Sequence, residues 1–116
     1  MAHSLAVITV IHWQRHSARP VRGAFLVAPA DVESPNPHAE LLRGFCPIPR
    51  EALRFPSLVV TSRNDPYGRL DRILELTQHW GSEQITLGNL GHINAESRLG
   101  EWDEGRKIFE AWLSRL

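Results

Sequence analysis

The chain has 116 residues, of which 42% are apolar and 22% charged, and its 13 basic and 13 acidic side chains give a net charge of zero. This length and composition indicate one small globular domain over residues 1–116. Because proteins bind nucleic acid and anionic membranes largely through clustered Lys and Arg, the balanced charge argues against both as partners.

The first apolar run covers residues 5–11 and permits two interpretations. β-branched residues follow one another along it, and such side chains favour a strand. Ser4, however, is a good N-cap residue, and a helix that is buried all round is apolar all round. The run is too short to cross a bilayer, and no basic residue precedes it as in a secretory signal, so neither a membrane span nor export is expected.

The rest of the chain alternates strand-like and helical patterns. Near-continuous apolar runs predict buried strands at residues 23–28 and 57–61. A third, shorter strand is predicted at residues 84–87, between Gly81 and Gly88. Apolar residues recur at helical spacing over residues 70–80, and an apolar stripe over residues 104–116 predicts a closing helix. Strands that alternate with helices predict an α/β fold, in which a parallel sheet is flanked by helices.

Residues 30–55 form an unusually long connection that contains four of the eight prolines and a short helical pattern at residues 38–43. Connections of this length are uncommon unless they have a function, so a flap over a pocket and a surface excursion both stay open. Cys46 has no base beside it and is predicted to be a buried small apolar residue rather than a nucleophile. As the single cysteine it cannot form an intramolecular disulfide, and a cytoplasmic location is expected.

Ser4 lies in the sequence Ala2-His3-Ser4-Leu5-Ala6, which resembles the G-x-S-x-G nucleophile elbow of α/β-hydrolases. The elbow is a strained strand-to-helix turn whose close packing needs small residues on both sides of the serine. Alanine replaces both glycines here, so the motif is weak by itself. An ordinary N-cap or a disordered terminal residue is the alternative interpretation of Ser4.

Asp65 and His92 follow the second and third predicted strands. Ligands and catalytic groups gather at the carboxyl ends of parallel strands, which favours a functional role for both. The alternatives are a helix N-cap for Asp65, which precedes Pro66, and a plain surface residue for His92. The order Ser4, Asp65, His92 is the Ser, Asp, His order of α/β-hydrolases.

Six blocks make the resemblance specific, namely residues 2–5, 25–33, 45–49, 55–60, 62–67 and 91–97. Together they resemble the small single-domain serine hydrolases of the retinoblastoma-binding-protein-9 type. The resemblance implies a three-layer α/β-hydrolase fold with a helix over residues 5–16. It implies that Ser4 is the nucleophile, Asp65 the acid and His92 the general base of a catalytic triad. The backbone N–H of Leu5 would then be an oxyanion-hole donor.

The same resemblance implies carboxylesterase-like hydrolysis of an ester, thioester or amide in a small acyl substrate, with no metal and no organic cofactor. Family members carry further strands and a Gly-rich loop before the elbow, so the chain resembles roughly the C-terminal two-thirds of such a domain, N-terminally truncated. Loss of the strands that cover residues 7–11 predicts an exposed apolar surface, and with it poor folding or self-association. A truncated or degenerate, catalytically weak relative that acts through protein contacts is therefore the alternative function.

Other possible sites have weaker support. His12 and His16 have the i, i+4 spacing of two metal ligands, but the sequence offers no third ligand, and solvent-facing or core-edge histidines are favoured. The chain has no G-x-x-x-x-G-K-[ST] or G-x-G-x-x-G motif, so nucleotide binding is not expected. Packing on the core and on helix faces is predicted for the four tryptophans, Trp13, Trp80, Trp102 and Trp112.

Overall fold

Four parallel strands form one sheet in the computed structural model, which describes residues 1–35 and 37–116. The strands are β1 (Ala2–His3), β2 (Ala24–Val27), β3 (Ser57–Ser62) and β4 (Glu83–Leu87), and the helices are α1 (Leu5–Trp13), α2 (Ala39–Leu42), α3 (Leu70–Trp80) and α4 (Asp103–Leu113). The strands lie in chain order across the sheet, with Leu26 of β2 opposite Val59 of β3. The predicted α/β class with a parallel sheet is therefore confirmed.

Helices cover both faces of the sheet, with the crossover helices on one face and α4 on the other. Each step from strand to strand goes in the same direction, so right-handed crossovers all pack on one face. On that face, Ala24, Leu26 and Val59 pack with buried residues of α1 and α3. Because side chains alternate along a strand, Phe25 points to the opposite face, where it packs against Trp112 of α4. The result is the predicted three-layer arrangement.

Helix α1 overrules the local preference of its residues. Val7, Ile8 and Ile11 are 0% exposed and belong to the core beneath the sheet. The β-branched residues favour a strand, but this preference is wrong, since residues 5–13 form a helix. Burial of the side chains outweighs the small helix-propensity cost of β-branching. The prediction that the face of residues 7–11 is left uncovered is also wrong for these three side chains. The helix ends at Trp13, three residues before the end expected from the resemblance.

The connection at residues 30–55, apart from Asn36, which lies outside the described residues, packs closely on the α1 and α3 face. It contains α2 and a 3-10 turn at Arg43–Phe45. Its anchors include Trp80 of α3, which is fully buried and whose Nε1 donates a hydrogen bond to the Pro49 carbonyl at 2.9 Å. Cys46 is exposed rather than buried, and its Sγ donates to the Val32 carbonyl at 3.3 Å.

Two further expectations concern single side chains on α1. His12 Nε2 lies 2.8 Å from the Phe45 carbonyl, so the ring donates to backbone at the edge of the core, while His16 is exposed. Trp13 is 39% exposed, and the packing role predicted for it is therefore wrong. Its ring lies instead under the Arg54 guanidinium, 5.9 Å from the ring centroid.

Of the helices in residues 1–35 and 37–116, none combines the length and the apolar character of a membrane span. The same part of the chain contains no group of three or more His, Cys, Asp or Glu side chains arranged to hold a metal ion.

Candidate active site

Ser4 occupies a sharp turn between β1 and α1. Its backbone angles are φ 60° and ψ −123°, and its N–H donates to the Val27 carbonyl at 3.0 Å. A positive φ at a residue other than glycine costs about 1–3 kcal/mol and is concentrated at functional sites. The Ser4 side chain makes no capping hydrogen bond, so the N-cap interpretation of its hydroxyl is wrong. The hydroxyl points instead to His92, with Oγ 2.7 Å from Nε2.

Asp65 lies in the turn that follows β3, and its side chain is only 1% exposed. Its Oδ1 accepts a hydrogen bond from the Tyr67 backbone N–H at 2.8 Å, and both carboxylate oxygens lie 2.9 Å from Nδ1 of His92. Helix α3 begins at Leu70 with Arg69 in the N-cap position, so the N-cap interpretation of Asp65 is wrong. The hydrogen bond from the Tyr67 N–H, within the turn after β3, holds the Asp65 carboxylate against His92.

Hydrogen bonds from the end of β3 and the turn after it position the backbone next to His92. Gly91 adopts a left-handed conformation with φ 63°, which a glycine adopts without strain. Its N–H donates to Asn64 Oδ1 at 2.7 Å, and its carbonyl accepts from the Ser62 hydroxyl. Since Ser62 and Asn64 lie within three residues of Asp65, the same stretch of chain positions both the loop that carries His92 and the Asp65 carboxylate.

Two aromatic rings enclose the imidazole. The His3 and Tyr67 rings lie 4.9 Å and 4.7 Å from the His92 ring, measured between centroids. His3 Nε2 also donates to the His92 backbone carbonyl at 2.9 Å. His92 itself is 8% exposed, so ring contacts and hydrogen bonds define its orientation.

The hydrogen bonds define which ring nitrogen carries the proton. An ionised Asp65 can only accept, so Nδ1 of His92 donates to it. In the neutral ring Nε2 is then an acceptor, and the Ser4 hydroxyl donates to it. The three residues predicted from the sequence thus form one continuous chain of hydrogen bonds. This arrangement can remove a proton from the Ser4 hydroxyl.

Leu5 is the first residue of α1 and follows Ser4 directly. The first N–H groups of a helix have no partner within the helix, and the helix dipole makes this end partially positive. The Leu5 N–H therefore lies where an anion that forms next to Ser4 would be stabilised.

A cleft of 510 Å³ opens above Ser4, and we call it the apolar cleft. The described residues that line it are Ser4, Leu5, Ala30, Asp31, Val32, Ser34, Pro35, Pro37, His38, Leu42, Pro66, Tyr67, His92 and Asn94. Eight of these fourteen residues belong to the 30–42 part of the long connection. That segment therefore forms a wall of the cleft, and whether it moves as a flap stays a prediction.

A partly buried cluster of ion pairs holds this wall in place. Glu33 lies 2.8 Å from Arg50 and 2.6 Å from Arg72, and Arg72 also lies 2.9 Å from Asp31. The hydrogen bond from Arg50 lowers the pKa of Glu33 to about 2, with Arg72 and the Ile48 N–H contributing in the same direction. The carboxylates in turn raise the pKa of both guanidinium groups. Sequence reasoning missed this cluster, since its members are far apart in the chain and follow no period.

Comparisons with known proteins identify the family and the fold of the chain. A family model described as serine hydrolase matches residues 1–111. A protein from Pectobacterium atrosepticum described as a YdeN-like hydrolase is 30% identical, with a TM-score of 0.79 over 97% of this chain and 57% of its own. The esterase domain of a Rhodothermus marinus protein is 15% identical, with a TM-score of 0.65 over 97% of this chain and 59% of its own, and shows a shared fold.

The chain thus spans less than three fifths of the length of either solved structure. No curated protein gives a significant match.

Proposed function

Because this chain belongs to the serine hydrolase family, we propose that it hydrolyses acyl compounds with Ser4 as the nucleophile. His92 is the general base, and Asp65 is the carboxylate that orients the imidazole. The observation that carries the proposal is the 2.7 Å contact between Ser4 Oγ and Nε2 of His92, whose Nδ1 faces the buried Asp65 carboxylate. Ser4 is also strained at positive φ, as expected of a nucleophile elbow.

The first half of the reaction forms an acyl-enzyme. His92 Nε2 takes the Ser4 proton while Oγ attacks the carbonyl carbon of the substrate. The imidazolium is stabilised by Asp65, which accepts from Nδ1 throughout. Collapse of the tetrahedral intermediate breaks the bond to the leaving group, which receives the proton from His92. Water then attacks the acyl-enzyme with His92 again as the base, and Ser4 regains its proton.

The Leu5 N–H is the oxyanion donor that this chain offers beside the nucleophile. It lies at the partially positive end of α1, where the negative charge of the tetrahedral intermediate is favoured. α/β-hydrolases usually add a second donor from a loop that precedes the elbow. Each such donor is worth about a hundredfold or more in the rate of acylation.

The substrate class is an ester, thioester or amide of a small acyl group, and the mechanism requires neither a metal nor an organic cofactor. We assign the chain more narrowly to the retinoblastoma-binding-protein-9 type of serine hydrolase. The Asp-Pro-Tyr sequence at residues 65–67 and the Gly-His-Ile-Asn sequence at residues 91–94 support that assignment.

A fluorophosphonate probe tests the nucleophile directly, because it reacts covalently with activated serines. Labelling of the purified chain is mapped by peptide mass spectrometry, with Ser4→Ala as the loss variant and Ser114→Ala as the matched control. Ser114 follows α4, where its hydroxyl donates to the Ala111 carbonyl. We expect labelling at Ser4, lost in Ser4→Ala and kept in Ser114→Ala. A cooperatively folded chain that takes no label at Ser4 would overturn the proposal and favour a relative that acts through protein contacts.

A further inference from the structure

We infer from two clefts that meet at His92 that the substrate joins an apolar acyl group to a polar leaving group that is neutral or cationic. This inference rests on the proposed function and specifies its substrate. The apolar cleft has been described above. A second cleft of 370 Å³, which we call the polar cleft, adjoins it at Tyr67 and His92.

The two clefts share the histidine but not the nucleophile. Ser4 and Leu5 line the apolar cleft, while the polar cleft is lined by Asn64, Pro66, Tyr67, Asn89, Leu90, Gly91, His92, Asn94, Glu96 and Ser97. Pro66, Tyr67 and Asn94 also line both clefts. The Tyr67 ring packs on the His92 ring at this shared boundary. A molecule that reaches across Tyr67 would therefore place its two ends in chemically different surroundings.

The reaction determines which end goes where. When Ser4 Oγ bonds to the carbonyl carbon, the acyl group becomes part of the enzyme and must lie in the cleft that Ser4 lines. Its carbonyl oxygen needs the Leu5 N–H, which lines the same cleft. The leaving group must accept the proton from Nε2 of His92 as its bond to carbon breaks. Both clefts are lined by His92, and the acyl group occupies the one that Ser4 lines, so the leaving group departs toward the other.

The walls of the apolar cleft suit a hydrocarbon acyl chain. Leu5, Val32 and Leu42 present aliphatic side chains to it, and three prolines add further apolar surface. The polar residues Ser34, His38 and Asn94 also line it. Asp31 also lines this cleft, but its carboxylate is paired with Arg72 at 2.9 Å and so carries little unbalanced charge. Contact with such walls is favourable for apolar surface and unfavourable for an unpaired polar group.

The walls of the polar cleft suit hydrogen bonding. Asn64 Oδ1 accepts from the Gly91 N–H, and Asn94 Oδ1 accepts from the Glu96 N–H. Because these backbone bonds fix the amide oxygens, the amide NH2 groups are left as donors for a ligand. Hydroxyl, ether and carbonyl oxygens of a leaving group are matching acceptors.

The charge of Glu96 determines which leaving-group charge is favoured in the polar cleft. Among the described residues that line it, Glu96 is the only acidic one, and none is a Lys or Arg. Glu96 forms no ion pair with any part of the chain that the structure describes, and it is exposed. A carboxylate in a cleft raises the local concentration of cations and opposes anions. A leaving group that carries a carboxylate, phosphate or sulfate is therefore disfavoured.

Three butyrate esters test the assignment, because they share an acyl group and differ in leaving-group charge. They are butyrylcholine, its uncharged isostere 3,3-dimethylbutyl butyrate, and O-butyrylglycolate, which is anionic. Release of butyric acid by the purified chain is followed by pH-stat titration at low ionic strength to give kcat/KM. We expect kcat/KM for the choline ester to exceed that for the isostere by about threefold, with the glycolate ester lowest.

Variants at two exposed glutamates separate the role of Glu96 from a general charge effect. Glu96→Gln is expected to bring the choline-to-isostere ratio close to one and to raise hydrolysis of the glycolate ester. Glu101→Gln removes the same charge at a position that lines neither cleft and should leave the ratio unchanged. Equal ratios in wild type and Glu96→Gln, with hydrolysis still dependent on Ser4, would overturn this inference and leave the proposed function standing. Hydrolysis that survives in Ser4→Ala, or none at all from a folded chain, would overturn both.

Discussion

Arg72 Nε lies 2.9 Å from Oδ2 of Asp31, and this ion pair ties α3 to the wall of the apolar cleft. The Asp31 backbone N–H donates in turn to the Tyr67 carbonyl at 2.9 Å. Tyr67 donates its own N–H to Asp65 Oδ1 at 2.8 Å. The packing of the long connection is thus linked, through one turn of backbone, to the carboxylate that faces His92.

Arg72→Met should weaken the fold substantially. The substitution leaves the Asp31 carboxylate, only 3% exposed, without its cation. Because the Arg72 side chain is itself 34% exposed, water screens part of this loss, and the expected cost is about 1–3 kcal/mol in unfolding free energy. Arg69→Met is the matched control on the same stretch of chain, because its pair with Asp71 is 79% and 66% exposed. That variant should change the free energy by less than about 1 kcal/mol. Urea unfolding followed by circular dichroism measures both, and equal effects would contradict a structural role for the buried pair.

Glu33 should make stability depend on pH in the acid range. The Arg50 hydrogen bond lowers its pKa from 4.5 to about 2 in the folded chain. The unfolded chain therefore binds the proton first as the pH falls. The contribution of Glu33 is complete above pH 4.5 and is lost progressively between pH 4.5 and about 2.

Glu33→Gln should consequently lower stability at neutral pH and flatten the fall in unfolding free energy across that acid window. Glu40→Gln, at a side chain that is 82% exposed, should leave the slope unchanged. Urea titrations at a series of pH values give the slope for each variant. A slope in Glu33→Gln as steep as in wild type would show that other carboxylates cause the acid dependence.

Much of the fold could be predicted from the sequence, because most elements carry a strong pattern of their own. Strands β2 and β3 are buried on both faces and read as continuous apolar runs, while α3 and α4 carry clear amphipathic stripes. Helix α1 is the exception. Its β-branched residues favour a strand locally, and only their burial against the sheet makes the helix the more stable state.

The candidate site could be predicted only in part. The chain order of Ser4, Asp65 and His92 indicated the three side chains that the structure brings together, although their catalytic roles stay predictions. The cap interpretations of Ser4 and Asp65 were wrong because both side chains have partners far away in the chain, which local patterns do not contain. The charged cluster had no sequence signal, since Arg72 and Asp31 are 41 positions apart.

Ser4→Gly should stabilise the chain relative to Ser4→Ala. Both variants lack the hydroxyl, so neither is expected to take the fluorophosphonate label. Alanine keeps the Cβ atom that makes φ 60° and ψ −123° unfavourable, whereas glycine adopts such angles at little cost. The expected difference in unfolding free energy is about 1 kcal/mol in favour of glycine. Urea unfolding of the two variants side by side measures it, and an alanine variant of equal stability would mean that this turn stores no strain.

Gly105→Ala should destabilise α4 and the loop that precedes it. A Cβ atom at Gly105 would lie 2.1 Å from the Trp102 ring, and Trp102 is held in a left-handed conformation at the helix N-cap. The ring would have to move, at a cost of about 1–3 kcal/mol. Gly88→Ala is the control, because no atom lies within 4 Å of the Cβ it would add. Thermal unfolding that shifts equally in both variants would contradict the packing argument.

Asp65→Asn separates an orienting role of this carboxylate from a merely structural one. Asparagine keeps an oxygen that can accept from the Tyr67 N–H, so the turn after β3 should persist. Its amide NH2, however, would donate to Nδ1 of His92 and force the proton onto Nε2, which then cannot accept from Ser4. We expect kcat for Ser4-dependent ester hydrolysis to fall by about 10³–10⁴-fold with little change in KM.

Asp71→Asn removes an exposed carboxylate on α3 and should leave kcat unchanged. A stable Asp65→Asn variant that retains more than about a tenth of the wild-type kcat would exclude an orienting role for Asp65, since loss of the acceptor tautomer alone costs far more than that.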